Sequence, residues 1–272
     1  MTDTAPTVTA APATAVRSPL RSVAVPTEHG GWGLTAEPII LGLAVAPSIA
    51  GSCLGVAAFL AFLARTPLRI LLVDRHRNRD LDRTALARRV LLIEVAVIIA
   101  LVGTAAVTAS GRFLWPAAVA APLVVTELWF DTRSRSRRLV PELAGTFGIC
   151  SVAAMILLAA GHPPTEAVAA WLILVARATT AIPHVRAQIA RLHHRPWSHR
   201  HLLVADAAAF AIAVAASATD PAVAAGSVAV VGVIAFQRLT AAKPVPAKVI
   251  GIRQSLLGLA VVAATAVGIH LI

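Results

Sequence analysis

RTPLRILLVDRHRNRDLDRTALARR, residues 65–89, is the stretch around which the chain is organised. It carries eight arginines, three aspartates, one histidine and one asparagine, and it lies between two long apolar runs. Asp74, Asn78 and Asp82 are four residues apart, so a helix through this stretch places their oxygens on one face. Carboxylate and amide oxygens are the ligands that Mg²⁺ prefers, whereas the arginines between them suit a phosphate or another anion. The alternative is an ordinary arginine-rich loop of a membrane protein, which explains the arginines but not the aspartates.

The composition of the chain indicates a membrane protein. Its 272 residues are 58% hydrophobic and 14% charged, whereas about a quarter of the residues in a soluble domain are charged. The surplus of apolar residues must therefore face lipid. A formal net charge of +11 would indicate a nucleic-acid partner in a soluble protein. Here the arginines lie in short segments between apolar runs, so we expect a lipid bilayer and no nucleic acid as the partner.

Nine apolar segments are long enough to cross a membrane, which needs about 20 mostly apolar residues. They predict an all-α polytopic bundle, with a turn near Pro47, Gly51 and Ser52 between the first two spans. The predicted spans are 34–51, 52–73, 90–109, 113–130, 140–160, 165–182, 201–219, 221–237 and 249–272. The second span has an alternative end near Arg65, which leaves 66–82 as an amphipathic helix at the membrane surface.

The distribution of charge predicts the orientation of these spans. With nine spans, 23 of the 24 arginines and lysines fall on one side of the membrane, and only Arg112 falls on the other. The positive-inside rule then places the amino terminus on the cytoplasmic side of the membrane. The loops on the other side are too short to form a site, so any chemistry is expected to face the cytoplasm.

The domain organisation is predicted to be simple. Residues 1–26, rich in Ala, Thr, Pro and Val, lack the charged start and apolar run of a signal peptide and are expected to be a disordered cytoplasmic tail. Residues 27–272 are expected to form a single transmembrane domain. Its cationic loops recur at intervals of about 110 residues, which suggests an internal repeat of 34–138 and 140–248 in a four-plus-four-plus-one arrangement.

Several polar residues outside residues 74–82 are candidates for binding a substrate. Glu28 and His29 precede a glycine-rich turn, although a turn at the membrane interface is the alternative. Acidic residues at similar depth in several spans suggest a polar pocket at the cytoplasmic mouth, although pairing with nearby arginines would satisfy them too. The predicted substrate-binding residues are Glu28, His29, Arg65, Arg69, Glu94, Glu127, Asp131, Arg186 and Arg191.

Four motifs resemble those of the YwiC-like family of bacterial membrane proteins. They are PTEHGGWG at 26–33, RTPLR at 65–69, PELAG at 141–145 and KVIGIRQSLLG at 248–258. The resemblance implies an acidic residue near Gln254, where this chain departs from the family. The layout also resembles the UbiA-type intramembrane prenyltransferases, in which aspartates in two loops hold Mg²⁺ against a prenyl diphosphate.

That second resemblance implies that Asp74, Asn78 and Asp82 are the first acidic motif. The second loop, PHVRAQIARLHHRPWSHR at 183–200, contains no acidic residue, so Arg186 and Arg191 would have to bind the anion directly. The expected function is therefore binding of an isoprenoid diphosphate or another anionic lipid in a cytoplasmic pocket. If the protein is an enzyme, it is a prenyltransferase with a degenerate second motif and Mg²⁺ as its cofactor. A transporter of a small solute and a non-catalytic membrane scaffold are the alternatives.

Overall fold

The computed structural model describes residues 19–26, 29–79, 81–133, 138–240 and 245–272, with the backbone alone for residues 19, 21, 29 and 30. Every regular element in these ranges is a helix. The α-helices are α1 (Pro19–Ala24), α2 (His29–Val45), α3 (Ile49–His76), α4 (Asp82–Thr108), α5 (Leu114–Thr132), α6 (Leu139–Ala159), α7 (Pro164–Leu192), α8 (His199–Thr219), α9 (Ala224–Thr240) and α10 (Ala247–Leu271). A 3₁₀ turn precedes α5 at Gly111–Phe113, and another precedes α9 at Pro221–Val223.

The helices confirm the predicted class of an all-α polytopic membrane protein. Within the described ranges, the eight helices from α3 to α10 are long and apolar enough to cross a bilayer, counting each 3₁₀ turn with the helix that follows it. Helix α2 is apolar over Gly31–Val45 but shorter, close to the lower limit for a span. The ninth span therefore remains a prediction. Within the predicted tail, Pro19–Ala24 form the short helix α1, and residues 1–18 lie outside the described residues.

The first turn lies earlier than expected. Helix α2 ends at Val45, and α3 begins at Ile49 with the Ser48 hydroxyl accepting a hydrogen bond from the Gly51 amide at 2.9 Å. Gly51 is therefore inside α3, where a Cβ would lie 2.8 Å from Ile156 Cγ2 of α6. Small residues let membrane helices approach closely, so this glycine serves packing and not the turn.

Helix α3 is longer than either form of the prediction. It runs without interruption through Arg65 to His76, so 66–82 is not a separate surface helix. Helices α6 and α7 lie at the centre of the bundle. Over an apolar stretch of 18 residues in each helix, 67% of the residues in α6 and 61% in α7 are buried, compared with 6% in α4. The helices that supply the core are therefore α6 and α7, and α4 faces outward.

The two ends of the bundle differ in charge. We call the end formed by the carboxyl termini of α3, α5, α7 and α9 the arginine-rich end. There Arg186, late in α7, donates to Glu142 at the start of α6 at 2.7 Å. At the opposite end, Thr165 donates to Asp220 at 3.2 Å. Arg177, which the prediction counts with the cations of the arginine-rich end, lies inside α7 with its side chain 1% exposed.

Candidate functional site

Arg65 joins α3 to α5 through two carboxylates, and we call these three residues the Arg65 cluster. Its Nε donates to Asp131 Oδ2 at 3.1 Å and its Nη2 to Oδ1 at 3.4 Å, while Nη1 lies 2.8 Å from Glu127 Oε1. The Asp131 side chain is fully buried, and 27% of the Arg65 side chain is exposed. Three predicted substrate-binding residues are therefore together, but they are paired with one another.

A glycine of α6 makes room for this cluster. A Cβ at Gly145, the last residue of the PELAG motif, would lie 2.2 Å from the Glu127 carboxyl carbon. Such a distance is far inside van der Waals contact, so any larger residue would displace Glu127. The motif therefore has a physical role in letting α6 pack against the ion pair.

The three predicted metal ligands do not share a helical face. Helix α3 ends at His76, Asn78 has a φ of +50° in the turn, and α4 begins at Asp82. Asp74 is 1% exposed, and it accepts hydrogen bonds from Arg83 Nη2 at 2.8 Å and Thr84 Oγ1 at 2.8 Å. The expectation of one continuous helical face is therefore wrong, because the asparagine terminates the helix in a left-handed conformation that this residue type tolerates.

The chemistry of this turn does not fit a Mg²⁺ site. Both oxygens of Asp74 are committed to Arg83 and Thr84, and a guanidinium next to the carboxylate opposes a cation. Asn78 and Asp82 are exposed. Within the described ranges, no three His, Cys, Asp or Glu side chains form a group that could hold a metal. Asp74 instead fastens the end of α3 to the start of α4.

The predicted anion-binding arginines of α7 also contact other side chains of the protein. Arg186 pairs with Glu142, and both side chains are about 40% exposed. The guanidinium carbon of Arg191 lies 3.7 Å from the centre of the Trp197 ring, a cation–π contact typical of a membrane interface. These arginines hold the ends of α6 and α7 and the α7–α8 turn in place.

The remaining candidates are dispersed. Glu28 lies outside the described residues, and His29 is described only as the first residue of α2. Glu94 is half-buried on the outward-facing helix α4, and its Oε2 has no hydrogen-bond partner among the described residues. Arg69 is half-buried one turn beyond Arg65 and interacts with other groups. Convergence of the acidic residues on one pocket therefore stays a prediction.

A different polar network lies between α7, α8 and α9 near the arginine-rich end. Thr180 of α7 donates to Asp206 Oδ1 at 2.6 Å and lies 3.0 Å from Gln237 Oε1. Asp206 also pairs with Arg238. The Gln237 amide nitrogen reaches Gln254 Oε1 on α10 at 3.5 Å. Four helices are thus joined by polar contacts inside the bundle.

A small pocket opens beside this network. Its polar lining residues come from α7, α9 and α10: His184, Gln188, Gln237, Thr240, Arg253 and Gln254. Among apolar residues, Phe236 and Leu257 contribute to its wall. The charged groups that act on His184 are the guanidiniums of Arg177, Arg191 and Arg238 and the carboxylate of Asp206. Among the groups that act on His184, guanidiniums therefore outnumber carboxylates three to one.

A charged pair lies deeper, near the middle of α2 and α7. Arg177 is 1% exposed, and its Nη2 donates to the Gln254 carbonyl oxygen at 2.7 Å. The same nitrogen lies 3.7 Å from Glu37 Oε1. Arg177 Nε and Nη1 are buried without a hydrogen-bond partner among the described residues. A charge at this depth is costly and is usually functional or paired.

The sequence prediction missed Arg177 because it was counted with the loop after the sixth span. The signal was present in WLILVARATTAI, residues 171–182, where one arginine interrupts an apolar run. Glu37 is 5% exposed and lies beside Arg177 in the bundle interior. The long helix α7 continues to Leu192, so residues expected in a loop are helical.

The fold and these clusters define a multi-pass α-helical membrane protein with charged residues buried between its helices. Residues 25–157 match the family described as YwiC-like protein. The matched region contains PTEHGGWG, RTPLR and PELAG, so the resemblance to that family is confirmed there, over just under half of the chain. No curated protein and no solved structure gives a significant match. The similarity of layout to the UbiA-type enzymes stays a prediction.

Proposed function

We propose that this YwiC-like protein binds an anionic lipid head group, such as a prenyl diphosphate, in the pocket between α7, α9 and α10. The observation that carries the proposal is the composition of the pocket. Arg253 and several amides line it, and three further guanidiniums act on its His184, one of them paired with Asp206 and one lying 3.7 Å from Glu37. Such donors favour phosphate oxygens through charge-assisted hydrogen bonds. Apolar Phe236 and Leu257 provide a surface for the lipid tail.

The location of the pocket supports a head group that enters from the cytoplasm. The pocket lies at the arginine-rich end of α7 and α9 and the start of α10. The positive-inside rule places that end in the cytoplasm, with the amino terminus on the same side of a bacterial cytoplasmic membrane. A lipid in the inner leaflet would then reach the pocket without crossing the bilayer.

The proposal is for binding without a divalent cation. In the UbiA-type arrangement, Mg²⁺ bridges aspartates and the diphosphate, but Asp74 already accepts hydrogen bonds from Arg83 and Thr84. Guanidinium groups take over the neutralising role in this pocket, and the amide N–H groups add hydrogen bonds. Prenyl transfer would additionally need stabilisation of the departing diphosphate, and Arg253 is the arginine that lines this pocket.

Binding of radiolabelled farnesyl diphosphate to the purified protein in detergent micelles tests this proposal. We expect saturable binding that is unchanged by EDTA, and about a tenfold loss of affinity in R253Q, since a charge-assisted hydrogen bond contributes about 1.5–3 kcal/mol. R112Q is the matched control, because Arg112 is an exposed arginine at the opposite end of the bundle. Binding that requires Mg²⁺, or that R253Q and R112Q reduce equally, would refute the proposal.

Transport of a small anion is the second candidate, and the buried Glu37–Arg177 pair favours it. Charged residues in the middle of a membrane bundle commonly mark solute pathways. Uptake of labelled pyrophosphate into proteoliposomes distinguishes transport from binding, because a binding protein does not accumulate the label. A membrane scaffold is the remaining alternative, and it predicts no saturable binding of farnesyl diphosphate.

A further inference from the structure

The face of α7 that lines the pocket continues inward to Arg177. Arg177, His184 and Gln188 are separated by seven and four residues, so they lie on one helical face. His184 and Gln188 line the pocket, and Arg177 is two turns deeper, about 10 Å along the axis. Gln254 connects the two levels, because it lines the pocket and its backbone carbonyl oxygen accepts a hydrogen bond from Arg177.

Arg177 keeps unused hydrogen-bonding capacity in the bundle interior. Its side chain is 1% exposed, and two of its three nitrogens, Nε and Nη1, have no acceptor among the described residues. Buried donors are almost always paired in folded proteins. A guanidinium whose Nε and Nη1 have no acceptor among the described residues, two helical turns from a polar pocket, therefore fits a ligand with several acceptor oxygens.

Glu37 balances the charge of Arg177 without satisfying these donors. Its Oε1 is 3.7 Å from Arg177 Nη2, beyond hydrogen-bond distance. The carboxylate fits against α10 because residue 258 is glycine, where a Cβ would lie 1.8 Å from Glu37 Oε1. Glu37 thus acts as an internal counter-charge that an entering anion would have to compete with.

We infer that Arg177 forms the deep end of the anion site, where it binds phosphate oxygens, and that Glu37 weakens this binding through its negative charge. This inference rests on the proposed function, because it extends the same pocket inward. It makes a signed prediction: neutralising a carboxylate should strengthen the binding of an anion. A purely structural ion pair predicts only a loss of stability in the same variant.

Thermal unfolding in detergent micelles, with and without inorganic pyrophosphate, tests the inference. Without anion, we expect E37Q to unfold at a lower temperature than the unmodified protein, because Arg177 loses its counter-charge. With pyrophosphate, we expect E37Q to bind at least threefold more tightly than the unmodified protein. E142Q is the matched control, because it removes a carboxylate from the exposed Arg186 pair, and we expect no change in pyrophosphate affinity.

Removal of Arg177 provides the second arm. R177Q leaves Glu37 buried without a cation and is expected to fold poorly, so the double variant E37Q/R177Q, which removes both charges, is measured with it. We expect the double variant to lose at least tenfold in pyrophosphate affinity. R177K retains the charge but not the planar donors, and we expect an intermediate loss.

The outcomes distinguish a lipid-linked diphosphate from a free anion. They also distinguish failure of the Arg177 inference from failure of the pocket proposal. Stabilisation by farnesyl diphosphate but not by pyrophosphate or farnesol would identify a lipid-linked diphosphate, and the affinities of E37Q and E37Q/R177Q are then compared with farnesyl diphosphate as the ligand. Equal stabilisation by pyrophosphate would identify a free anion. If R253Q weakens binding while E37Q and E37Q/R177Q bind like the unmodified protein, the pocket proposal stands and the role of Arg177 is wrong. If E37Q is merely destabilised and binds no more tightly, water satisfies the donors and the inference is overturned.

Discussion

Replacement of Arg65 by methionine should destabilise the bundle strongly, because it removes the cation between two carboxylates. Arg65 supplies both donors that the fully buried Asp131 accepts, at 3.1 and 3.4 Å, and it also lies 2.8 Å from Glu127. Removing one partner of a buried pair costs about 3–5 kcal/mol. Because 27% of the Arg65 side chain is exposed, water reaches the vacated site, and we expect the lower end, about 3 kcal/mol.

Two further variants test the origin of that cost. R65K keeps the positive charge but loses the planar set of donors, so we expect an intermediate destabilisation of about 1–2 kcal/mol. In R65M/D131N the buried charge is removed as well, and we expect more than half of the stability lost in R65M to return. Reversible unfolding by denaturant in mixed micelles measures these differences in the free energy of unfolding.

The control for this series is the exposed pair of Arg186 and Glu142. R186M removes an arginine from a 2.7 Å ion pair whose side chains are about 40% exposed. Such pairs contribute about 0–1 kcal/mol, so R186M should be close to the unmodified protein. If R65M destabilised the protein no more than R186M, or if D131N failed to rescue R65M, the Arg65 cluster would not be the joint between α3 and α5.

Three other perturbations have expected outcomes. D74N should lower the free energy of unfolding by about 1–3 kcal/mol, because it replaces the buried acceptor of Arg83 and Thr84. D82N, in the exposed turn, should leave the free energy of unfolding unchanged. Equal effects of the two variants in a denaturant titration would argue for a shared role such as metal binding. G145A should destabilise the protein and G103A should not, because a Cβ at 145 overlaps the Glu127 carboxyl group while nothing lies within 4 Å at 103; unchanged thermal stability of G145A would contradict the packing. Reporter domains fused after α5 and after α9 should both be cytoplasmic, as the positive-inside rule predicts; a reporter on the outer side at either site would reverse the proposed orientation of the pocket.

The sequence predicted the helices well because hydropathy is a local property. An apolar run of about 20 residues must be helical in lipid, since unpaired backbone groups are too costly there. The predicted spans and the observed helices therefore agree to within a few residues for most of the chain. The larger discrepancies are at the start of α4 and the end of α7, where arginine-containing segments extend the helix beyond the apolar core to Asp82 and Leu192.

The candidate site was predicted less well because spacing along the chain was used in place of spatial contact. Asp74, Asn78 and Asp82 have helical spacing, but Asn78 ends the helix, so the inference from spacing fails. Glu127 and Asp131 were expected near one another, and they are, but their partner is Arg65, 66 residues before Asp131. No local pattern identifies that partner.

The sequence by itself determined the class of the protein, the approximate helices and the end at which cations gather, because each depends on the composition of a short segment. Only the tertiary structure decided which charges neutralise one another and which keep free donors. Those outcomes depend on the rotation and contact of helices distant in sequence, such as α2, α7 and α10 around Arg177. The energy of a buried charge is set by its neighbours, and the neighbours are assigned by packing.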